Sequence, residues 1–275
     1  MPLDTPVIRG RDIEVGYQGK VALEASSFEI PFGVLTAVIG PNGSGKSTLL
    51  NTIAGLTSPA SGEVSLPPDR DRVAYVMQST KVSDSLPISV REVVTMGRYP
   101  GTGPYRRLGP DDRRAVADAM QRVGITSLAQ EHLGRLSGGQ RQRAFVAQGL
   151  AQDHDILLLD EPLTGIDIPT ALAIDEVIHE EIEDGCAVVM TTHDLSEASV
   201  AAHVILLSGR VVASGPPETV LTTENLRLAY GTSLIHFDEG GLLLDDAAHN
   251  PVGGRHLHRD RVIHTEMDPE ELHGG

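Results

Sequence analysis

Gly40-Pro41-Asn42-Gly43-Ser44-Gly45-Lys46-Ser47-Thr48 is a complete GxxxxGK[ST] loop, and its flanks are those its chemistry requires. The apolar run Leu35-Thr36-Ala37-Val38-Ile39 leads into it and reads as a buried strand. Thr48-Leu49-Leu50-Asn51-Thr52-Ile53-Ala54 leads out of it and reads as a helix. Glycines let successive backbone N–H groups converge on phosphate oxygens, and the helix N-terminus adds its partial positive charge. Lys46 is expected to reach the β- and γ-phosphates, and the Ser47 hydroxyl to ligate Mg²⁺. A glycine-rich turn before an ordinary helix is the bland alternative, and the strand–loop–helix context weighs against it. The loop implies binding of a nucleoside triphosphate.

Two further motifs narrow the class. Leu136-Ser137-Gly138-Gly139-Gln140 stands ahead of Ile156-Leu157-Leu158-Leu159-Asp160-Glu161-Pro162. The second is a buried-strand run ending in paired carboxylates, where Asp160 can hold the Mg²⁺ shell and Glu161 can handle a water. With the phosphate loop, in this order, the motifs resemble the ATP-binding subunit of an ATP-binding cassette (ABC) transporter. The resemblance covers roughly residues 7 to 230. It implies a P-loop NTPase α/β core with a parallel sheet, an antiparallel β part ahead of the loop and an inserted α-helical part over about 88–136.

The local patterns agree with that expectation. Ile13–Tyr17 and Ala25–Ile30 read as strands joined near Gln18-Gly19-Lys20, and Gly62–Leu66 and Val73–Met77 as further strands. From Ser89 to Gln130 the pattern is helical, with Val90, Val93 and Val94 on one face. Pro100 to Pro110 is a Gly/Pro-rich break, after which Asp111 and Asp112 precede a charged helix running through Met120. Gly138–Ala151, Ile156–Asp160, Thr170–Asp184 and Ala187–Thr191 then alternate helix and strand, which argues for crossover connections and a parallel sheet.

Phosphoryl transfer to water needs the γ-phosphate fixed, its charge neutralised and a water aimed in line. Glu161, at the end of a core strand beside the loop, is the candidate base or water-positioning carboxylate. The resemblance adds further roles. His193, in Thr191-Thr192-His193-Asp194, resembles the switch histidine that contacts the γ-phosphate and orients the water. Gln78 resembles the glutamine that completes the Mg²⁺ and water shell and senses the membrane partner; Met77 stands where the family often has proline. Tyr17 resembles the aromatic that stacks on adenine, and Asp167 the acidic residue that crosses to a partner subunit.

Ser137, Gly138, Gly139 and Gln140 offer a hydroxyl and backbone amides at a second helix N-terminus. One chain needs one phosphate cradle, so a second anion site implies another user. In the resembled family two subunits face each other head to tail, each ATP clasped by one subunit's loop and the other's signature.

Composition bounds the rest. Lys and Arg number 22 against 38 Asp and Glu, a net charge of −16. That acidity argues against nucleic-acid binding and against direct docking on anionic lipid. No apolar run approaches the ~20 residues that span a bilayer, and Met1 to Asp12 has no signal-peptide core. The chain is therefore expected at the cytoplasmic face of the cell membrane, held there by a separate polytopic permease and linked through it to an extracytoplasmic binding protein. Cys186 is the only cysteine, which excludes an intrachain disulfide and a Cys-rich zinc site.

The run Ser89–Tyr99 resembles the coupling segment of importers with large membrane subunits. Tyr105-Arg106-Arg107-Leu108, Glu161–Asp167 and Thr223–Gly231 resemble the metal-cation group among them, pointing to manganese or zinc. Import of iron-siderophore, haem or cobalamin is the alternative, and a non-transport role in DNA repair or translation a more distant one. The ATPase domain is expected over 1–232, followed by an acidic appendage over 233–275. Residues 236–275 hold nine acidic residues against three arginines, and six of the eleven histidines. His249, His256, His258, His264 and His273 suit divalent metal chemically, but their spacing matches no closed motif, so the segment reads as a solvated tail.

Overall fold

The computed structural model describes residues 7–78, 87–99 and 107–231, together with the backbone of two short strands at 235–238 and 241–244. In chain order the elements begin with β1 (Val7–Tyr17), β2 (Lys20–Pro31), β3 (Leu35–Ile39), α1 (Lys46–Ile53), β4 (Ser61–Ser65) and β5 (Val73–Val76). Three helices follow, α2 (Val90–Met96), α3 (Pro110–Arg122) and α4 (Gly138–Leu150). Then come β6 (Ile156–Leu159), α5 (Ile168–Glu183), β7 (Ala187–Thr192), α6 (Leu195–Val200), β8 (His203–Leu207), β9 (Val211–Gly215), α7 (Pro217–Val220) and α8 (Thr223–Tyr230).

Two sheets share the work. The larger has the order β5-β6-β7-β3-β8-β9. Its first five strands are parallel and β9 is antiparallel. β6 and β7 are buried at every residue, as strands covered on both faces must be, which is why they read as unbroken apolar runs. The smaller sheet, β2-β1-β4, is antiparallel, and its β1–β2 turn uses Gln18 and Gly19 at positive φ. Its residues Ile8, Ile13, Leu23 and Ile30 pack with Leu49 and Leu50 of α1 against one side of the larger sheet. The opposite side carries α2, α3, α4 and α5, with Val90, Val93 and Val94 buried as their spacing foretold.

Several boundaries differ from the sequence reading for identifiable reasons. Pro110 occupies the first turn of α3, so Asp111 and Asp112 lie inside that helix. Asp112 accepts the Gly109 amide at 2.7 Å and closes the helix start. α5 begins at Ile168, because Asp167 caps it and Pro169 fits its first turn. β5 stops at Val76 and leaves Met77 63 % exposed. Within the expected appendage, β10 (Ile235–Asp238) and β11 (Gly241–Leu244) pair as an antiparallel hairpin.

This topology positions the site. Leu159 pairs with Val76 on one side and Met190 on the other, and Ile39 pairs with Thr192. The carboxyl ends of β5, β6, β7 and β3 therefore open on one crevice, the place where open α/β sheets bind ligands.

Candidate active site

The loop after β3 holds Gly43 at φ 78° and Gly45 at φ 101°, values that other residues adopt only with strain. A Cβ at Gly40 would lie 2.2 Å from the Leu207 carbonyl oxygen, so the loop is drawn tightly against β8. Lys46 is buried, and its Nζ donates to the carbonyls of Gly40 at 2.8 Å and Pro41 at 3.2 Å. The first-turn amides of α1 have no carbonyl of their own helix to bond. Asn42, Gly43, Gly45, Lys46, Ser47 and Thr48 line a cavity of about 360 Å³ that Tyr17 and Glu161 complete. Tyr17 is 42 % exposed, with its hydroxyl 3.3 Å from Thr57 Oγ1. A phosphate-sized cradle beneath an accessible aromatic fits a nucleoside triphosphate. Pro41 and Ser44 belong to the same loop, and the Ser44 hydroxyl is buried with no hydrogen-bond partner among the described residues.

Across the cavity lie the carboxylates. Asp160 is buried, and its Oδ1 accepts from the Thr191 hydroxyl at 2.6 Å. The same Thr191 oxygen accepts the Glu161 amide at 2.8 Å. Gln78 Nε2 donates to Glu161 Oε2 at 2.8 Å. Glu161 has φ 48°, in the left-handed region, and lines the cavity together with the loop residues. Tyr75 stands on β5 near Asp160; its burial, and then the Asp160 charge, push its phenol well above its ordinary range. Ser47, Asp160 and Gln78 offer hydroxyl, carboxylate and amide oxygens, a hard donor set that fits Mg²⁺. His193 follows β7 and is exposed. Its segment is held by the Thr192 hydroxyl, which donates to Glu197 and accepts the Asp194 amide at 2.9 Å.

Thr191 and Tyr75 carry no role in the sequence analysis. The signal for Thr191 is a hydroxyl closing an otherwise apolar core strand, Ala187–Met190, since a buried hydroxyl must find a partner. Tyr75 gives a weaker sign, one phenol in an apolar strand.

The signature lies apart from this cavity's lining. Ser137 and Gln140 form a reciprocal cap on α4: the Ser137 hydroxyl accepts the Gln140 amide at 3.2 Å, and Gln140 Oε1 accepts the Ser137 amide at 3.0 Å. A Cβ at Gly139 would meet Thr170 Oγ1 at 2.6 Å and Asp167 Oδ1 at 3.2 Å, so α4 and α5 start in close contact. Gly138 faces open space. The nearby Thr170 hydroxyl, and then the Thr170 amide that Asp167 accepts at 3.0 Å, hold its carboxyl below the usual range. It thus has a task within its own chain, as the cap of α5. Tyr105, Arg106 and the five histidines from His249 to His273 lie outside the described residues.

Residues 23–164 match the model of the family described as ABC transporter. The chain belongs to the ABC transporter family. It is 40 % identical over 229 residues to the manganese transport system ATP-binding protein MntB of Bacillus subtilis, covering 81 % of this chain and 92 % of that one. It is 39 % identical over 245 residues to the ferric enterobactin transport ATP-binding protein FepC of Escherichia coli, covering 84 % and 90 %. Among solved structures, a metal-chelate type ABC transporter in an inward-facing conformation matches with a TM-score of 0.73 and 27 % identity, over 82 % of this chain and 89 % of that one. This ABC protein binds and hydrolyses ATP, and as a transporter's ATPase it works with a membrane permease. Among the described residues no helix is long and apolar enough to cross a membrane.

Proposed function

We propose that this chain powers import of a divalent metal cation, manganese or zinc, from the cytoplasmic face of the cell membrane. The observation that carries the reading is the 40 % identity to a manganese transporter's ATP-binding protein over nearly the whole of that protein. The metal-cation resemblance of Glu161–Asp167 and Thr223–Gly231 supports it. An iron-chelate importer is the second reading, favoured by the nearly equal identity to the ferric enterobactin protein.

In the proposed cycle, Lys46 and the loop amides bind the ATP phosphates while Tyr17 stacks on the base. Ser47, Asp160 and Gln78 would hold Mg²⁺, which supplies charge neutralisation at the phosphates. Glu161 takes the proton of the attacking water, and His193 holds that water toward the γ-phosphate. Two copies pair head to tail, so that Ser137, Gly138, Gly139 and Gln140 of one meet the nucleotide of the other and Asp167 lies at their junction. The empty space over Gly138 supports this pairing, because nothing among the described residues of the single chain requires a glycine there. The exposed side chains of Met77, Met96 and Tyr99 flank the Gln78 and α2 segments and suit a permease surface. An extracytoplasmic binding protein delivers the cargo to that permease. The ATPase domain spans 1–232, with its helical part at about 88–136, and 233–275 is an acidic appendage.

The test is uptake. Cells lacking the gene are assayed for accumulation of Mn²⁺, Zn²⁺ and ferric chelate, with the wild-type gene restored as control. Loss of Mn²⁺ or Zn²⁺ uptake supports the proposal; loss confined to the chelate replaces it with the second reading.

A further inference from the structure

Far from the phosphate loop along the strands, three side chains of different chemistry converge. His154, Glu181 and Cys186 each place one ligand atom within 4.8 Å of the other two. We propose that these residues form a binding site for one Zn²⁺ ion. A tetrahedral Zn²⁺ with bonds of about 2.0–2.3 Å spaces its ligand atoms roughly 3.3–3.6 Å apart, so modest side-chain adjustment closes the site.

The surroundings are arranged as a metal site's would be. His154 Nδ1 donates to the Gln152 carbonyl at 2.8 Å, which fixes the ring and points Nε2 at Glu181 Oε2, 2.9 Å away. A backbone carbonyl on the far nitrogen is the usual way a ligating imidazole is held. Arg122 occupies the other Glu181 oxygen at 2.7 Å, keeping the carboxylate ionised and aimed. Cys186 is buried, with its thiol 3.1 Å from the Asp155 carbonyl. Without metal the cluster is tied up as an ion pair. Burial opposes charge on His154, but the neighbouring Cys186 thiol, Glu181 and the Gln152 carbonyl outweigh that and raise its pKa to about 10. Zn²⁺ would displace the His154 Nε2 proton and the Cys186 thiol proton to solvent, leaving neutral imidazole, thiolate and carboxylate as ligands. The two anionic ligands balance the charge of the ion, and Glu180, 2.7 Å from Arg122, balances the guanidinium.

The position gives the site a consequence. His154 stands just before β6, whose other end carries Asp160 and Glu161. Cys186 stands just before β7, which ends at Thr191 and Thr192. Glu181 is in the last turn of α5, which Asp167 caps. One ion here pins together three elements whose opposite ends bear Asp160 and Glu161, Thr191 and Thr192, and the capping Asp167. Nothing in this depends on which cargo the transporter carries.

The full-length protein, stripped with chelator, is titrated with Co²⁺, a spectroscopic stand-in for Zn²⁺. Cys186 is the only sulfur of its kind in the chain, so a sulfur-to-cobalt charge-transfer band reports this site and not the histidines of residues 236–275. The band is expected to saturate at one equivalent, to be bleached by one equivalent of Zn²⁺, to vanish in Cys186→Ser and to require at least about tenfold more Co²⁺ in His154→Gln. No band in the wild type at excess Co²⁺, or an unchanged titration in folded His154→Gln, overturns the proposal. If His154→Gln does not fold, the rise in Tm on adding Zn²⁺ decides. A smaller rise in Cys186→Ser than in wild type supports the site, and an equal rise overturns it.

Discussion

Gln78 Nε2 donates to Glu161 Oε2 across 2.8 Å, so a residue just past β5 holds the carboxylate just past β6. The contact links the segment expected to sense the permease to the group expected to take the proton. Gln78→Ala should lower kcat about tenfold, the worth of roughly 1.4 kcal/mol, with little change in KM for ATP. Steady-state ATPase assays check this; an unchanged kcat removes the contact from the catalytic step.

Glu161→Gln keeps the shape and loses the carboxylate proposed as the base. Turnover should fall by about 10²–10⁴-fold while ATP affinity is retained. An ATP-bound dimer should then accumulate on size-exclusion chromatography. Turnover near wild type would free Glu161 of its role.

Thr191→Val is isosteric but leaves the Asp160 oxygen and the Glu161 amide without their shared partner. Unmade bonds at buried groups cost about 1–3 kcal/mol each, so Tm should drop and kcat with it. Thr191→Ser should restore both. Failure of serine to rescue would mean that the methyl group, and not the hydroxyl, matters.

Lys46→Ala should weaken ATP binding and hydrolysis together, and Ser137→Arg should spare binding in the isolated subunit but block pairing. Mixing the two variants leaves one composite site with an intact loop and an intact signature. Partial activity in the mixture, absent from either variant alone, is the expected result.

Arg98 is the fastening of the helical part. It bonds Asp112 at 3.1 Å, the Ala151 carbonyl at 2.7 Å and Asp153 at 3.0 Å, joining α2, α3 and the end of α4. Asp112 is fully buried and also accepts the Gly109 amide, so Asp112→Ala removes one of three partners of Arg98 and leaves that amide unpaired, which should cost about 1–3 kcal/mol in urea unfolding.

The motifs that bind nucleotide were legible because each is a short, continuous run whose spacing its chemistry dictates. Strand and helix existence was legible too, since the buried runs Ile156–Leu159 and Ala187–Met190 admit few other readings. What escaped was the joinery. Thr191 is 30 residues from Glu161 and Gln78 is 83, and no local pattern announces a bond between elements that meet only after folding. The cap at Asp167 hid for the opposite reason: a residue resembling an intersubunit contact drew attention from the Asp-x-x-Thr spacing that closes its own helix. The His154–Glu181–Cys186 cluster was equally invisible, its members scattered over a loop, a helix end and a strand start.

Glu161 sits at φ 48°, where an L residue with a Cβ pays about 1–2 kcal/mol that glycine or asparagine largely avoids. With Glu161 as the proposed base, selection for stability and selection for turnover would pull this position in opposite directions. A lineage that kept the folded subunit but abandoned its pumping would gain by drifting to glycine or asparagine here. On the proposed role of Glu161, the residue at 161 would serve as a fossil marker, its carboxylate expected wherever hydrolysis is still under selection.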